Sequence, residues 1–131
     1  MVERVVILGG GYAGLYACKE LARAARRGEI TLTLVSKENF HIWHGFIGEM
    51  LTGRIMPSQI LSPARRIFRP AKLHIGIIRH IDTIEKVVHT TRELDGKPVE
   101  IPYDRLIVAV GSRQSPESFH GLAEHGFAVK T

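Results

Sequence analysis

The run Arg4-Val5-Val6-Ile7-Leu8-Gly9-Gly10-Gly11-Tyr12-Ala13-Gly14 constrains this chain more than any other feature. An apolar strand passes directly into glycines spaced as GxGxxG, at positions 9, 11 and 14. Each glycine has its own physical reason. Gly9 turns the chain sharply out of the strand, Gly11 leaves room where a pyrophosphate approaches the backbone, and Gly14 lets the next helix lie close to the strand. That helix begins with free backbone amides and the positive end of its dipole, a setting suited to phosphate. Gly9, Gly11, Tyr12, Ala13 and Gly14 are therefore candidate contacts to a nucleotide diphosphate. The motif is weak alone, but here it has the strand before it and the helix after it that the chemistry requires.

After Gly14, small or apolar residues at Leu15, Cys18, Leu21, Ala22 and Ala25 recur at helical spacing, with Lys19, Arg23, Arg26 and Arg27 on the other face. Gly28 is placed to stop the helix. Ile30 to Ser36 reads as the second strand and completes a βαβ unit. An acidic residue that binds the ribose hydroxyls usually ends this strand; Ser36 stands there instead, followed by Lys37 and Glu38. A serine makes a single hydrogen bond to a ribose and lacks the bidentate grip of a carboxylate. Ser36 and Lys37 are both candidate ligands, and Lys37 keeps open a 2′-phosphate as in NADP.

Further along, Phe46 to Leu51 and Ser62 to Arg69 read as helical, the second with Ser62 as N-cap and Pro63 in the first helical position. A strand is expected at Lys72 to Ile78. From Ile81 to Pro102 the period becomes strand-like, with Val87 to Glu93 and Lys97 to Ile101 flanking the hairpin signal Asp95-Gly96. There is no internal repeat.

These residues resemble a known family. Gly9 to Leu15, Val35-Ser36-Lys37-Glu38-Asn39-Phe40-His41 and Met50-Leu51-Thr52-Gly53 are similar to the FAD-binding segment that opens the two-dinucleotide flavoprotein reductases. Within the pyridine nucleotide-disulfide oxidoreductase superfamily, the likeness is closest to type II NADH dehydrogenases and sulfide:quinone reductases. Downstream, Tyr103-Asp104-Arg105-Leu106-Ile107-Val108-Ala109-Val110-Gly111-Ser112 resembles the family segment YDxLhhAxGS, with Val110 where threonine is frequent. Gly121 to His125 extends the likeness almost to the end of the chain.

The resemblance implies an α/β fold, a Rossmann-like parallel sheet flanked by helices with an antiparallel hairpin excursion, forming the N-terminal part of a two-dinucleotide flavoprotein. It implies FAD as cofactor, with the adenosine half on the first βαβ unit and the flavin toward Asn39 to Gly48 and Ala109 to Ser112. Ala109, Gly111 and, through its main-chain amide, Ile78 join the cofactor contacts on this ground. Some members of the subgroup also have serine at the position of Ser36, which favours FAD over NADP. NAD(P)H as substrate and a quinone or similar acceptor are implied for the complete protein.

At 131 residues the chain has room for one nucleotide-binding domain, residues 1–131, and not for the second GxGxxG domain of the relatives. Thr131 therefore reads as a break within the family fold, and the isolated chain is expected to be inactive. A missing last strand would bare a sheet edge and invite self-association. The first strand begins at once, which reads as no targeting peptide, and no apolar run reaches the roughly 18 residues of a membrane span. A cytoplasmic location follows, with peripheral membrane attachment expected of the complete protein.

Apolar residues are 44% and charged residues 24% of the chain, the balance of a globular domain. The lone Cys18 fits packing in a reducing compartment. The net charge of +5 gathers in Arg23, Arg26 and Arg27 and in Arg65, Arg66, Arg69 and Lys72. Such clusters suit a solvated helix face or an anionic surface; the aromatic interleaving of an RNA platform is missing, so nucleic acid is not expected as a partner. His41-Ile42-Trp43-His44 reads as the rim of a flavin pocket rather than a metal site, since no third ligand stands nearby. Against the flavoprotein reading stand a non-enzymatic nucleotide-binding module and an NADP-binding Rossmann protein.

Overall fold

The computed structural model describes residues 2–112 and 119–126. Strand β1 (Glu3–Leu8), helix α1 (Tyr12–Arg26) and strand β2 (Ile30–Ser36) form the βαβ unit, with β1 and β2 parallel from Glu3↔Ile30 to Leu8↔Val35. α1 buries Gly14, Leu15, Cys18 and Ala22. Its end is fixed by a Schellman arrangement, in which Gly28 (φ +74°) donates to Ala25 and Glu29 donates to Ala24. Only glycine adopts that turn without steric cost.

Beyond β2 come the short strand β3 (Phe40–Ile42), a 3-10 turn, helix α2 (Ile47–Leu51), strand β4 (Leu61–Pro63) and helix α3 (Ala64–Ile67). β3 and β4 pair antiparallel as a separate two-stranded ribbon. The expected helix from Ser62 with Pro63 in its first turn is corrected here. Ser62 belongs to β4, and Pro63, at φ −58° and ψ 124°, is the N-cap of a helix of a single turn. Ser62 Oγ accepts from the Trp43 indole Nε1 at 2.8 Å, one residue ahead of the N-cap, and α3 has no side-chain cap.

β5 (Lys72–Asp82) is longer than expected; it pairs parallel with β2 through Ile75 and then antiparallel with β6 (Val87–Arg92). β7 (Pro98–Pro102) completes the antiparallel excursion after the Asp95-Gly96 turn, where Gly96 has φ +68°. β8 (Arg105–Val108) returns parallel to β1, so the six-stranded order is β7-β6-β5-β2-β1-β8. Helix α4 (Leu122–His125) follows. Among the described residues β8 is an edge strand, and Val108 and Val110 near its end are exposed.

Alternation along the strands divides the core. Val5, Ile7, Leu32 and Leu34 pack under α1 with Leu15, Cys18, Ala64 and Phe68, whereas Val6, Leu8 and Val35 meet Val88 and Tyr103 on the opposite face. Because β1 is buried on both faces, its run of apolar residues is almost unbroken. The carboxyl ends of β1, β2 and β8 therefore lie side by side, which sets the place of the site.

Candidate functional site at the carboxyl ends of the parallel strands

The glycine loop sits where the three strands end. Gly9 donates to the Val35 carbonyl at 2.8 Å, and Ala109 donates to the Leu8 carbonyl at 2.7 Å. Gly9 has φ +110°, and a Cβ there would collide with the Ala109 carbonyl oxygen. A Cβ on Gly14 would collide with the carbonyl oxygen of Gly9 itself. These two glycines are required by backbone against backbone. Gly11 differs: a Cβ there meets nothing within 4 Å, and its backbone is extended at φ −79°. The space above it is open, as the approach of a pyrophosphate needs.

Gly11 is the N-cap of α1 and gives it no side-chain hydrogen bond; the first turn contains no acidic residue. The first-turn amides, which no helical carbonyl can satisfy, are left for a ligand. An anion there is favoured by the helix dipole as well.

Ser36 is buried, and its Oγ lies under the loop, 2.5 Å from where a Cβ on Gly10 would stand. It supports the loop from below. Lys37 points its ammonium at Glu38, 3.9 Å away, with 73% of its side chain exposed, and so is engaged outside the loop. Ala109 is brought directly against Gly9, while Gly111, at φ +77°, lies beyond it with open space around its Cα. Ile78 lies mid-strand in β5, opposite Thr90, three residues past the Ser36↔Ile75 pair, with its side chain against the Val6–Val88 cluster. It was expected at a strand end, but β5 runs on to Asp82 because β6 pairs along it.

The β3 ribbon completes the site. His41, 1% exposed, places Nδ1 2.9 Å from the carbonyl oxygen of Gly10. Since a carbonyl only accepts, Nδ1 carries the hydrogen, and in the neutral ring Nε2 is a bare acceptor. Nε2 is buried and has no hydrogen-bond partner among the described residues. Tyr12, Trp43 and Phe68 pack edge-on around this imidazole, with ring centroids 5.0, 4.8 and 6.2 Å away. The sequence singled out His41 only as a rim residue; its tether to Gly10 joins residues 31 positions apart and has no local signature. Among the described residues no three His, Cys, Asp or Glu side chains gather as a metal site.

Two further residues were missed as structural determinants. Asp104 takes Arg4 in a two-pronged pair, Nε to Oδ2 at 3.0 Å and the guanidinium NH2 to Oδ1 at 2.8 Å, and accepts the Arg4 amide at 2.7 Å. These bonds hold its carboxyl well below the usual carboxylate range. Tyr103, buried, donates its hydroxyl to the Asp82 carbonyl. The Arg4–Asp104 bonds hold β8 in register with β1, and so Ala109 against Gly9, while the Tyr103 bond ties the start of β8 to the end of β5.

A parallel sheet with a glycine turn, an uncapped helix start and an open Gly11 defines a dinucleotide-binding α/β domain. The sequence profile of the pyridine nucleotide-disulphide oxidoreductases matches residues 3–131, and the chain belongs to that family. It is 35% identical over 132 residues to the type II NADH:quinone oxidoreductase Ndh of Mycobacterium tuberculosis, covering 98% of this chain and 27% of that one. With the type II NADH:quinone oxidoreductase of Staphylococcus aureus it shares 25% identity, covering 98% of this chain and 31% of the relative. Among solved structures, NDH2 of Plasmodium falciparum in complex with NADH superposes with a TM-score of 0.73 at 18% identity, over 95% of this chain and 25% of its own. The sulfide:quinone oxidoreductase of Aquifex aeolicus gives 0.73 at 22% identity, over 93% and 27%. The fold is thus that of the nucleotide-binding domain of such flavoproteins, and the chain spans less than a third of the relatives' length.

Proposed function

We propose that this chain is the FAD-binding portion of an NAD(P)H dehydrogenase that passes electrons to a quinone or similar acceptor. The observation that carries the reading is the pairing of an open Gly11 at an uncapped helix start with a buried, unpartnered His41 Nε2 beside the same loop. A dinucleotide offers what both lack: phosphate oxygens for the amides of Tyr12, Ala13 and Gly14, and sugar or ribityl hydroxyls that donate to Nε2.

When bound, FAD supplies the hydride and electron chemistry; the protein supplies place and polarity. Gly9 and Gly14 keep β1, α1 and β8 close enough to form one floor. Ser36 supports Gly10, and His41 holds the Gly10 carbonyl turned inward, leaving the loop amides turned toward the ligand. Tyr12 and Trp43 pack edge-on against His41 and hold its ring in place. Ser36, Lys37, Ile78, Ala109 and Gly111 remain proposed contacts. Likeness to type II NADH:quinone oxidoreductases supports NADH as donor and quinone as acceptor, with peripheral membrane attachment of the complete protein. No helix among the described residues is long and apolar enough to cross a membrane.

The test is reconstitution. The chain mixed with FAD is expected to quench flavin fluorescence at a stoichiometry of one, and Gly11→Val to abolish this while keeping the native circular dichroism spectrum. A folded chain that leaves FAD fluorescence unchanged would sink the proposal. With NADH and a dye acceptor these 131 residues by themselves are expected to show no turnover, since they span less than a third of the relatives' length.

A further inference from the structure

A second cluster of charge lies at the far end of α1 from the glycine loop. Arg26, in the last turn of α1, faces Arg65 of α3 and Arg69 across a cleft of about 540 Å³ whose floor is Pro70, Ala71 and Leu73. With about 1.5 Å of rise per residue, the 15 residues of α1 put Arg26 roughly 20 Å along the helix from Gly11. Arg65 and Arg69 lie nearer, on either side of Phe68, but no residue of the glycine loop lines the cleft.

Outside the cleft four arginines are held in ion pairs, whereas Arg23, Arg54, Arg66 and Arg79 are in none among the described residues. Arg4 is bound to Asp104, Arg27 to Glu29, Arg92 to Asp95 and Arg105 to Glu3. Arg26, Arg65 and Arg69 make no ion pair among the described residues, and no carboxylate lines their cleft. Arg26, Arg65 and Arg69 are like charges lining one cleft, an arrangement that repels unless an anion lies between. Arginine suits phosphate oxygens in particular, because its planar fork donates two parallel hydrogen bonds to them.

We propose that this cleft binds a phosphate group, whether of a free phosphorylated ligand or of a lipid headgroup at a membrane surface. The inference does not rest on the FAD reading, and its test is arranged to be blind to it.

Gly11→Val blocks the glycine loop while leaving the fold, since a Cβ there meets nothing. In that background, inorganic pyrophosphate is titrated by calorimetry, and binding to vesicles of phosphatidylglycerol is compared with vesicles of phosphatidylcholine. The triple change Arg26→Gln, Arg65→Gln, Arg69→Gln is expected to weaken binding about tenfold or more. Removing equal charge outside the cleft, by Lys19→Gln, Arg23→Gln and Arg54→Gln, is expected to change it less than about threefold. Pyrophosphate binding lost in the cleft variant supports a free phosphorylated ligand. Phosphatidylglycerol binding alone, lost in the same variant, supports a headgroup. No binding to either probe, or equal loss in the two triple variants, overturns the proposal.

Discussion

The imidazole of His41 and the carbonyl of Gly10 stand 2.9 Å apart and tie the β3 ribbon to the glycine loop. This bond sets the tautomer, and the tautomer makes Nε2 an acceptor to which no described residue donates. His41→Asn separates the two roles, since the asparagine amide can replace the Nδ1 donor and has nothing in the place of Nε2. The variant is expected to fold, and to bind FAD roughly tenfold more weakly, the loss of about one buried hydrogen bond. Fluorescence titration measures it; unchanged affinity would mean that Nε2 has no part in the cofactor site.

The glycines of the loop divide by what a methyl group would touch. Gly14→Ala drives a Cβ into the Gly9 carbonyl, and neither backbone can yield without separating α1 from β1. A loss of about 3 kcal/mol or more is expected in urea unfolding. Gly11→Ala has open space and an ordinary φ, so stability should change by less than about 0.5 kcal/mol while FAD affinity falls. Equal destabilisation by both would contradict this division.

The same division explains what was legible in the sequence. Strand, glycine spacing and the amphipathic pattern of α1 are local, and β1, α1, β2 and the hairpin at Asp95-Gly96 follow from them. What was not legible depends on partners far away along the chain. Ser62 has the composition of an N-cap, yet the Trp43 indole claims its hydroxyl. His41 was seen only as one of two histidines three apart, although it is the buried hinge between ribbon and loop. Ser36 was read as a ribose ligand; that it also lies beneath Gly10 depends on how the loop folds over the end of β2.

Asp104 and Arg4 lie 100 positions apart and clamp β8 to β1. The Arg4 hydrogen bonds depress the Asp104 pKa below its unfolded value near 3.8. A depressed carboxylate contributes stability above the unfolded pKa and loses it as pH falls through the folded one. The wild type is therefore expected to exceed Asp104→Asn in stability from neutral pH down to about pH 4, with the gap closing in stronger acid. The pair is solvent-exposed, so the gap should be small and shrink in salt. Denaturant melts of both proteins between pH 2 and pH 7 decide it; a gap that persists in strong acid would show that the carboxyl charge is not what matters.

Cys18 is enclosed between α1 and the sheet, and burial pushes its thiol up to about 11 from an ordinary value of 9.0. A raised pKa in a group that ionises to an anion means the native state holds its proton more firmly. The contribution is complete below about pH 9 and lost as pH rises through about 11. The shift is worth roughly 2–3 kcal/mol, so wild type should fall relative to Cys18→Ala over that window. At pH 8 the native thiol should resist a disulfide reagent and react fully in guanidinium, because the thiolate is the attacking species. Rapid modification of the folded chain at pH 8 would place Cys18 at the surface and remove it from the packing of α1 on β1.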